Sequence, residues 1–181
     1  VKLVLVRHPQ PEVGPGLCYG ASDLAVADHE LARVHASLEA AGLPGTLPVY
    51  ASPLQRCALL ARRLPALSLR FDARLAEMDF GRWEMRAWDA IPRAEVDAWA
   101  ADLLHYRPGG GECVLEVAQR VAAFGAELRQ AGHAQALLIC HAGTIRLLSA
   151  MRDDIALEQA ALDAARAPHR IGYGEIVVLE N

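Results

Sequence analysis

The chain has 181 residues, 53% hydrophobic and 22% charged, with a net charge of -4. That size and balance predict one soluble domain over residues 1–181, able to bury a substantial core. The acidic balance argues against a nucleic-acid partner, and no stretch reaches the length of a membrane span.

The chain opens on Leu3-Val4-Leu5-Val6-Arg7-His8-Pro9. Four consecutive apolar residues read as a strand buried on both faces, and Pro9 cannot continue it. Arg7 and His8 are thus expected at the carboxyl end of a buried strand, where ligands sit in open α/β sheets. A long loop, Gln10 to Val26, follows, broken by Pro11, Gly14, Pro15, Gly16 and Gly20. Leu31, Val34, Leu38 and Ala41 then recur at helical spacing, predicting a helix from Asp28 to Ala41 with Gly42 as its stop.

Val49 to Ala51 reads as a second strand. Ser52-Pro53-Leu54-Gln55-Arg56 reads as a helix start, with Ser52 as N-cap, Pro53 in the first helical position and Gln55 completing a capping box. Ser68 to Phe71 is a candidate third strand. Residues 72–112 hold all three tryptophans and no long period, and read as a partly helical insertion over the sheet edge. Gly109-Gly110-Gly111 lacks the Lys-Ser/Thr of a phosphate loop and reads as a hinge or turn. Val114 to Gly132 carries the clearest helical stripe. Ala136 to Cys140 is a second continuous apolar strand, running into His141. Helices are expected from Thr144 and over Ile155 to Ala165, and a last strand over Glu175 to Glu180. Strands alternating with helices predict an α/β fold, three-layer α/β/α with a mostly parallel central sheet.

If the strands are parallel neighbours, His8, His141, Arg7 and Arg56 meet at one edge. Guanidinium forks match phosphate oxygens, and helices starting at Pro53 and Thr144 would add positive dipole ends. A neutral histidine there could attack phosphorus, its protonation disfavoured by the guanidinium charges. Protonating the departing oxygen needs a carboxylic acid, and Glu77, Asp79 and Glu84 are near at hand.

These elements resemble the histidine phosphatase superfamily, also called phosphoglycerate mutase-like. Arg7-His8 is similar to its R-H motif, Ser52 to Arg56 to its S-P-x-x-R element, and Leu75 to Glu84 to its L-x-E-x-x-F-G-x-W-E element. His141-Ala142-Gly143 resembles its second histidine, and Gly110-Gly111-Glu112 its G-G-E turn. The resemblance implies a phosphatase with His8 as phosphorylated nucleophile. Arg7, Arg56 and His141 would hold the phosphoryl oxygens and Glu77 would donate the proton, without a metal or other cofactor. The substrate would be a small-molecule phosphomonoester, with Tyr19 and Glu112 as further substrate contacts and Trp83 as a third candidate. Gly16 to Leu24 is similar to a stretch of the α-ribazole phosphatase branch, which implies α-ribazole 5'-phosphate and a place in cobalamin biosynthesis. Pro9, Pro11, Gly14 and Met85 depart from the usual pattern.

Cys140 to Arg146 also fits C-x5-R, the loop of cysteine-dependent phosphatases, but leaves Arg7, His8, Arg56 and Glu77 unexplained. A non-catalytic phosphoester-binding protein and a phosphomutase are also compatible with these residues. His29, His35, His105, His133 and His169 read as surface or structural. The four cysteines, Cys18, Cys57, Cys113 and Cys140, form no C-x-x-C pair. No charged segment followed by an apolar one precedes the first strand, so a reducing cytoplasm is expected.

Overall fold

A computed structural model describes residues 1–180. Its strands are β1 (Lys2–Arg7), β2 (Pro48–Ala51), β3 (Ser68–Phe71), β4 (Gln135–Cys140) and β5 (Ile176–Glu180). The helices are α1 (Asp28–Ala40), α2 (Gln55–Ala61), α3 (Arg93–Ala101), α4 (Val114–Gln130), α5 (Ala142–Ala150) and α6 (Leu157–Arg166). The strands form one sheet in the order β3-β2-β4-β1-β5. Every neighbouring pair is parallel except β1 with β5, which is antiparallel.

The continuous apolar runs of β1 and β4 follow from burial on both faces. Leu3, Leu5, Ala136 and Leu138 point into a core built with Val117, Val121, Phe124 and Leu128 of α4, and with α5 and α6. Val4, Val6, Leu137 and Ile139 point the other way, against Leu31, Val34 and Leu38 of α1 and Cys57 and Leu60 of α2. This is the period-two alternation of a strand between two helical layers. Residues 72–112 form short 3-10 turns and α3 around a third apolar cluster of Cys18, Trp83 and Ile91.

One local expectation is corrected and another is narrowed. The helix after β2 begins at Gln55, not Pro53, and no capping box forms. Leu54 is extended, and the carboxylate of Asp23 accepts the Gln55 N–H at 2.7 Å while the Gln55 side chain donates back to the Asp23 carbonyl. The Gln55 N–H at the start of α2 is therefore already capped from the loop. Of the hinge or turn expected at the glycine run, the structure has the turn, a 3-10 turn at Pro108–Gly110. Gly109, at φ +60, lies so close to residues 80–83 that a Cβ would stand 2.1 Å from the Phe80 carbonyl oxygen. A Cβ on Gly111 would meet the Asp79 carbonyl oxygen at 2.1 Å, so glycine is needed for backbone-to-backbone contact.

Candidate active site

Three strands end level. Arg7 pairs with Cys140 in register, His8 N–H donates to the Cys140 carbonyl at 3.0 Å, and Ser52 N–H donates to the Ile139 carbonyl at 3.0 Å. The side chains that follow are thereby gathered at one edge, with the His8 and His141 ring centroids 5.0 Å apart. A cavity of about 490 Å³ opens there. Its floor includes Arg7, His8, Arg56 and Glu77, and Tyr19, Trp88, Trp99, Arg146, His169 and Tyr173 stand around it.

His8 is 3% exposed. Its Nδ1 lies 2.7 Å from the Pro9 carbonyl, which can only accept, so Nδ1 carries the proton and Nε2 keeps its lone pair. Burial, and then the Arg56 and Arg7 charges, push the imidazole down to about 3 against the opposing pull of the Pro9 carbonyl. Burial leads that shift, whereas sequence reasoning credited the arginines alone. The bond to residue 9 uses its carbonyl, which proline supplies as well as glycine does. The departure at Pro9 therefore leaves this contact intact.

Arg56 is fully buried and donates to the carbonyls of Ser22 at 2.6 Å and Gly20 at 2.5 Å. Those carbonyls are held in turn by Glu84, whose carboxylate accepts the N–H groups of Gly20, Ala21, Ser22 and Phe80. Arg7 donates to the Ile171 carbonyl at 2.6 Å and lies 3.9 Å from the Tyr173 ring centroid. His141 Nε2 sits 2.9 Å from the Ser52 hydroxyl, and burial holds its imidazole well below the usual range. The Glu77 carboxylate accepts the Gly143 N–H at 3.1 Å, in the first turn of α5. That approach requires glycine, since a Cβ at residue 143 would stand 2.4 Å from Glu77 Oε1.

Among the described residues, five buried side-chain nitrogens have no hydrogen-bond partner: Arg7 Nε, Arg56 Nε, Arg146 Nε, Trp99 Nε1 and His141 Nδ1. Four belong to residues of the cavity wall, and the fifth to the ring packed against His8. Four of the five are donors, and the fifth is one in the tautomer whose Nε2 accepts from Ser52. Buried donors without partners are costly, and an oxyanion rich in acceptors is the ligand that would satisfy such a set. Among the described residues no group of three or more His, Cys, Asp or Glu side chains is placed to hold a metal ion.

The structure thus brings Arg7, His8, Arg56, Glu77 and His141 together, with Tyr19 at the rim, its hydroxyl 2.8 Å from that of Tyr173. It removes three candidates. Glu112 faces Arg120 and the Asp79 N–H instead of the cavity. Trp83 is wholly buried, donating to Glu95 at 2.7 Å, and the cavity tryptophans are Trp88 and Trp99. The Cys140 thiol points into the core with α4, and burial drives it well above the usual range, so it is no thiolate nucleophile. His169 and Tyr173 were missed. They precede β5, and an antiparallel β5 starts where β1 ends, so that connection must border the site. The only sequence cue was the last strand's direction, which composition does not reveal.

The fold and this cluster define an α/β enzyme with a neutral imidazole beside two buried arginines at the carboxyl edge of its sheet. The chain belongs to the histidine phosphatase superfamily (branch 1), whose sequence profile matches residues 3–168. It is similar to the "Putative phosphoserine phosphatase 2" of Hydrogenobacter thermophilus, at 28% identity over 87% of this chain and 81% of that one. The α-ribazole phosphatase of Shigella flexneri is 25% identical and superposes with a TM-score of 0.79, covering 99% of this chain and 90% of the other. A mycobacterial glucosyl-3-phosphoglycerate phosphatase is 27% identical with a TM-score of 0.80, over 99% and 92% of the two chains.

Proposed function

We propose that the protein is a metal-independent phosphomonoester hydrolase acting through a phosphohistidine at His8. The observation that carries this reading is the unpartnered nitrogens of Arg7, Arg56 and His141 beside a neutral His8 imidazole whose Nε2 keeps its lone pair. In the first step Nε2 attacks phosphorus and the bond to the leaving oxygen breaks. Glu77, as the acid, gives that oxygen its proton and releases an alcohol. In the second step Glu77, now a carboxylate, takes a proton from water as the water oxygen attacks phosphorus, and the His8–phosphorus bond breaks to give phosphate. Arg7, Arg56 and His141 hold the equatorial oxygens, whose charge they stabilise throughout.

For the leaving group, α-ribazole 5'-phosphate is the substrate we favour. Support comes from the Gly16 to Leu24 resemblance, the likeness to the Shigella enzyme, and an aromatic cavity wall. Trp88 and Trp99 stack there at 6° and 6.3 Å, with Phe80 edge-on to both. Such a wall suits a planar heteroaromatic group. The four described cysteines are free and buried, which is consistent with a reducing cytoplasm.

One experiment tests chemistry and substrate together. Radiolabelled α-ribazole 5'-phosphate, phosphoserine and an aryl phosphate are each mixed with enzyme in EDTA and quenched in alkali or acid. An acid-labile, alkali-stable label is expected with the wild type and none with His8→Ala, fastest with the ribazole ester. Label that survives acid, or turnover that needs added Mg²⁺, would overturn the mechanism. Faster labelling by phosphoserine would overturn the substrate.

A further inference from the structure

We infer that Arg120, on α4 and outside the cavity wall, is the positioning residue for Glu77, with Glu112 as its partner. The inference rests on the reading of Glu77 as proton donor.

The backbone around Glu77 belongs to no helix or strand. It runs between 3-10 turns at Ala73–Leu75 and Gly81–Trp83, so its carbonyls have no ladder to join. Arg120 supplies one. Its Nη1 donates to the carbonyls of Arg74 and Ala76, both at 2.8 Å, and its Nη2 to the carbonyl of Glu77 itself at 3.2 Å. Nε and Nη2 also donate to the two carboxylate oxygens of Glu112, each at 2.9 Å. Glu112 completes the clamp. Its carboxylate accepts the Asp79 N–H at 3.0 Å, and its own N–H donates to the Asp79 carbonyl at 2.9 Å. Residues 74, 76, 77 and 79 are therefore all tied to one guanidinium and its counter-charge. Burial pushes the Glu112 carboxyl up, but Arg120 and the Asp79 N–H outweigh it and hold the group below the usual range.

The planar fork explains why arginine stands here. It reaches three carbonyls and a carboxylate at once, which an ammonium cannot do in one plane. Arg120 is carried by the helix whose Val117, Val121 and Phe124 lie deepest in the core, so the acid is referenced to the sheet through α4 and not to its own loop. An acid must sit within hydrogen-bond reach of the leaving oxygen, and a displacement of about 1 Å costs on the order of 10²-fold.

The test separates positioning of the acid from general support of the site. An aryl phosphate such as p-nitrophenyl phosphate expels a stable anion and needs no proton donor, whereas an alkyl phosphate does. kcat/KM, which reports transfer to His8 alone, is measured for both with Arg120→Met, Arg120→Lys, Glu112→Gln and Glu77→Gln. Arg120→Met is expected to lose about 10- to 100-fold on the alkyl ester and to stay within about threefold on the aryl ester. Arg120→Lys recovers part of the loss, and Glu77→Gln shows the same selectivity more strongly. Equal losses on both esters in Arg120→Met, beside a selective Glu77→Gln, would overturn the positioning role alone. A non-selective Glu77→Gln would overturn the proton-donor reading and the inference with it. If Arg120→Met does not fold by circular dichroism, Glu112→Gln takes its place: a selective loss supports the clamp, and equal losses on both esters overturn it.

Discussion

At the scale of single residues, the site depends on keeping two histidines uncharged inside the protein. His8 ordinarily titrates at 6.5 and is pushed down to about 3, and His141 is shifted the same way. Between these limits the unfolded chain binds protons that the folded chain refuses, so stability is full above pH 6.5 and falls as pH drops. His8 contributes a slope of about 1.4 kcal/mol per pH unit in that window, and His141 acts in the same direction. Urea midpoints for the wild type are expected to fall between pH 7 and pH 5, and His8→Asn to fall less steeply. Parallel profiles would show that His8 is not protected from protonation. These histidines were legible because each stands at the end of a short apolar run that reads as a buried strand. Glu112 was misplaced for the opposite reason: a motif gives the neighbourhood of a loop residue but not the direction it faces, and here Arg120 takes the carboxylate.

At the scale of elements, the least regular segment is held most closely. Residues 79–83 lie against residues 109–111 backbone to backbone, an arrangement that only glycine permits. Gly109→Ala would bring a methyl group to 2.1 Å from the Phe80 oxygen at a positive φ. A loss of about 2–4 kcal/mol in chemical denaturation is expected, with a larger fall in activity on alkyl than on aryl esters as Glu77 shifts. An unchanged midpoint would mean that the two segments can part freely. The strands and α1, α4, α5 and α6 were readable from periodicity within one or two residues, whereas α3 lies in the segment to which periodicity gives no bounds. The start of α2 was not, because its cap comes from Asp23, 32 residues upstream in the loop. Contacts of that range leave no trace in local pattern.

At the scale of the whole molecule, the cavity is built from two parts of the chain. Arg7, His8 and His141 stand at strand ends and Arg56 in the first turn of α2, while Glu77 and the aromatic wall of Phe80, Trp88 and Trp99 come from the segment over the sheet edge. Trp88→Ala is therefore expected to raise KM about tenfold for esters with a planar aromatic leaving group while leaving small alkyl esters unchanged. An equal effect on both would place Trp88 in support of the fold instead. The α/β class and the level strand ends followed from the alternation of apolar runs and helical stripes. The rim formed by His169 and Tyr173 did not, since it depends on β5 running against β1.

That antiparallel β5 has a consequence for how the protein is made. β1 lies between β4 and β5, so the first strand of the sheet to leave the ribosome has no sheet neighbour until Gln135–Cys140 and Ile176–Glu180 have followed it. Leu3 to Val6 must wait, apolar and unpaired, while the intervening residues are translated, which makes this nascent strand the natural client of a chaperone. The Arg7 clasp to the Ile171 carbonyl closes only after both of its partners are synthesised. The sheet edge that carries Arg7 and His8 is thus among the last parts of the fold to be completed.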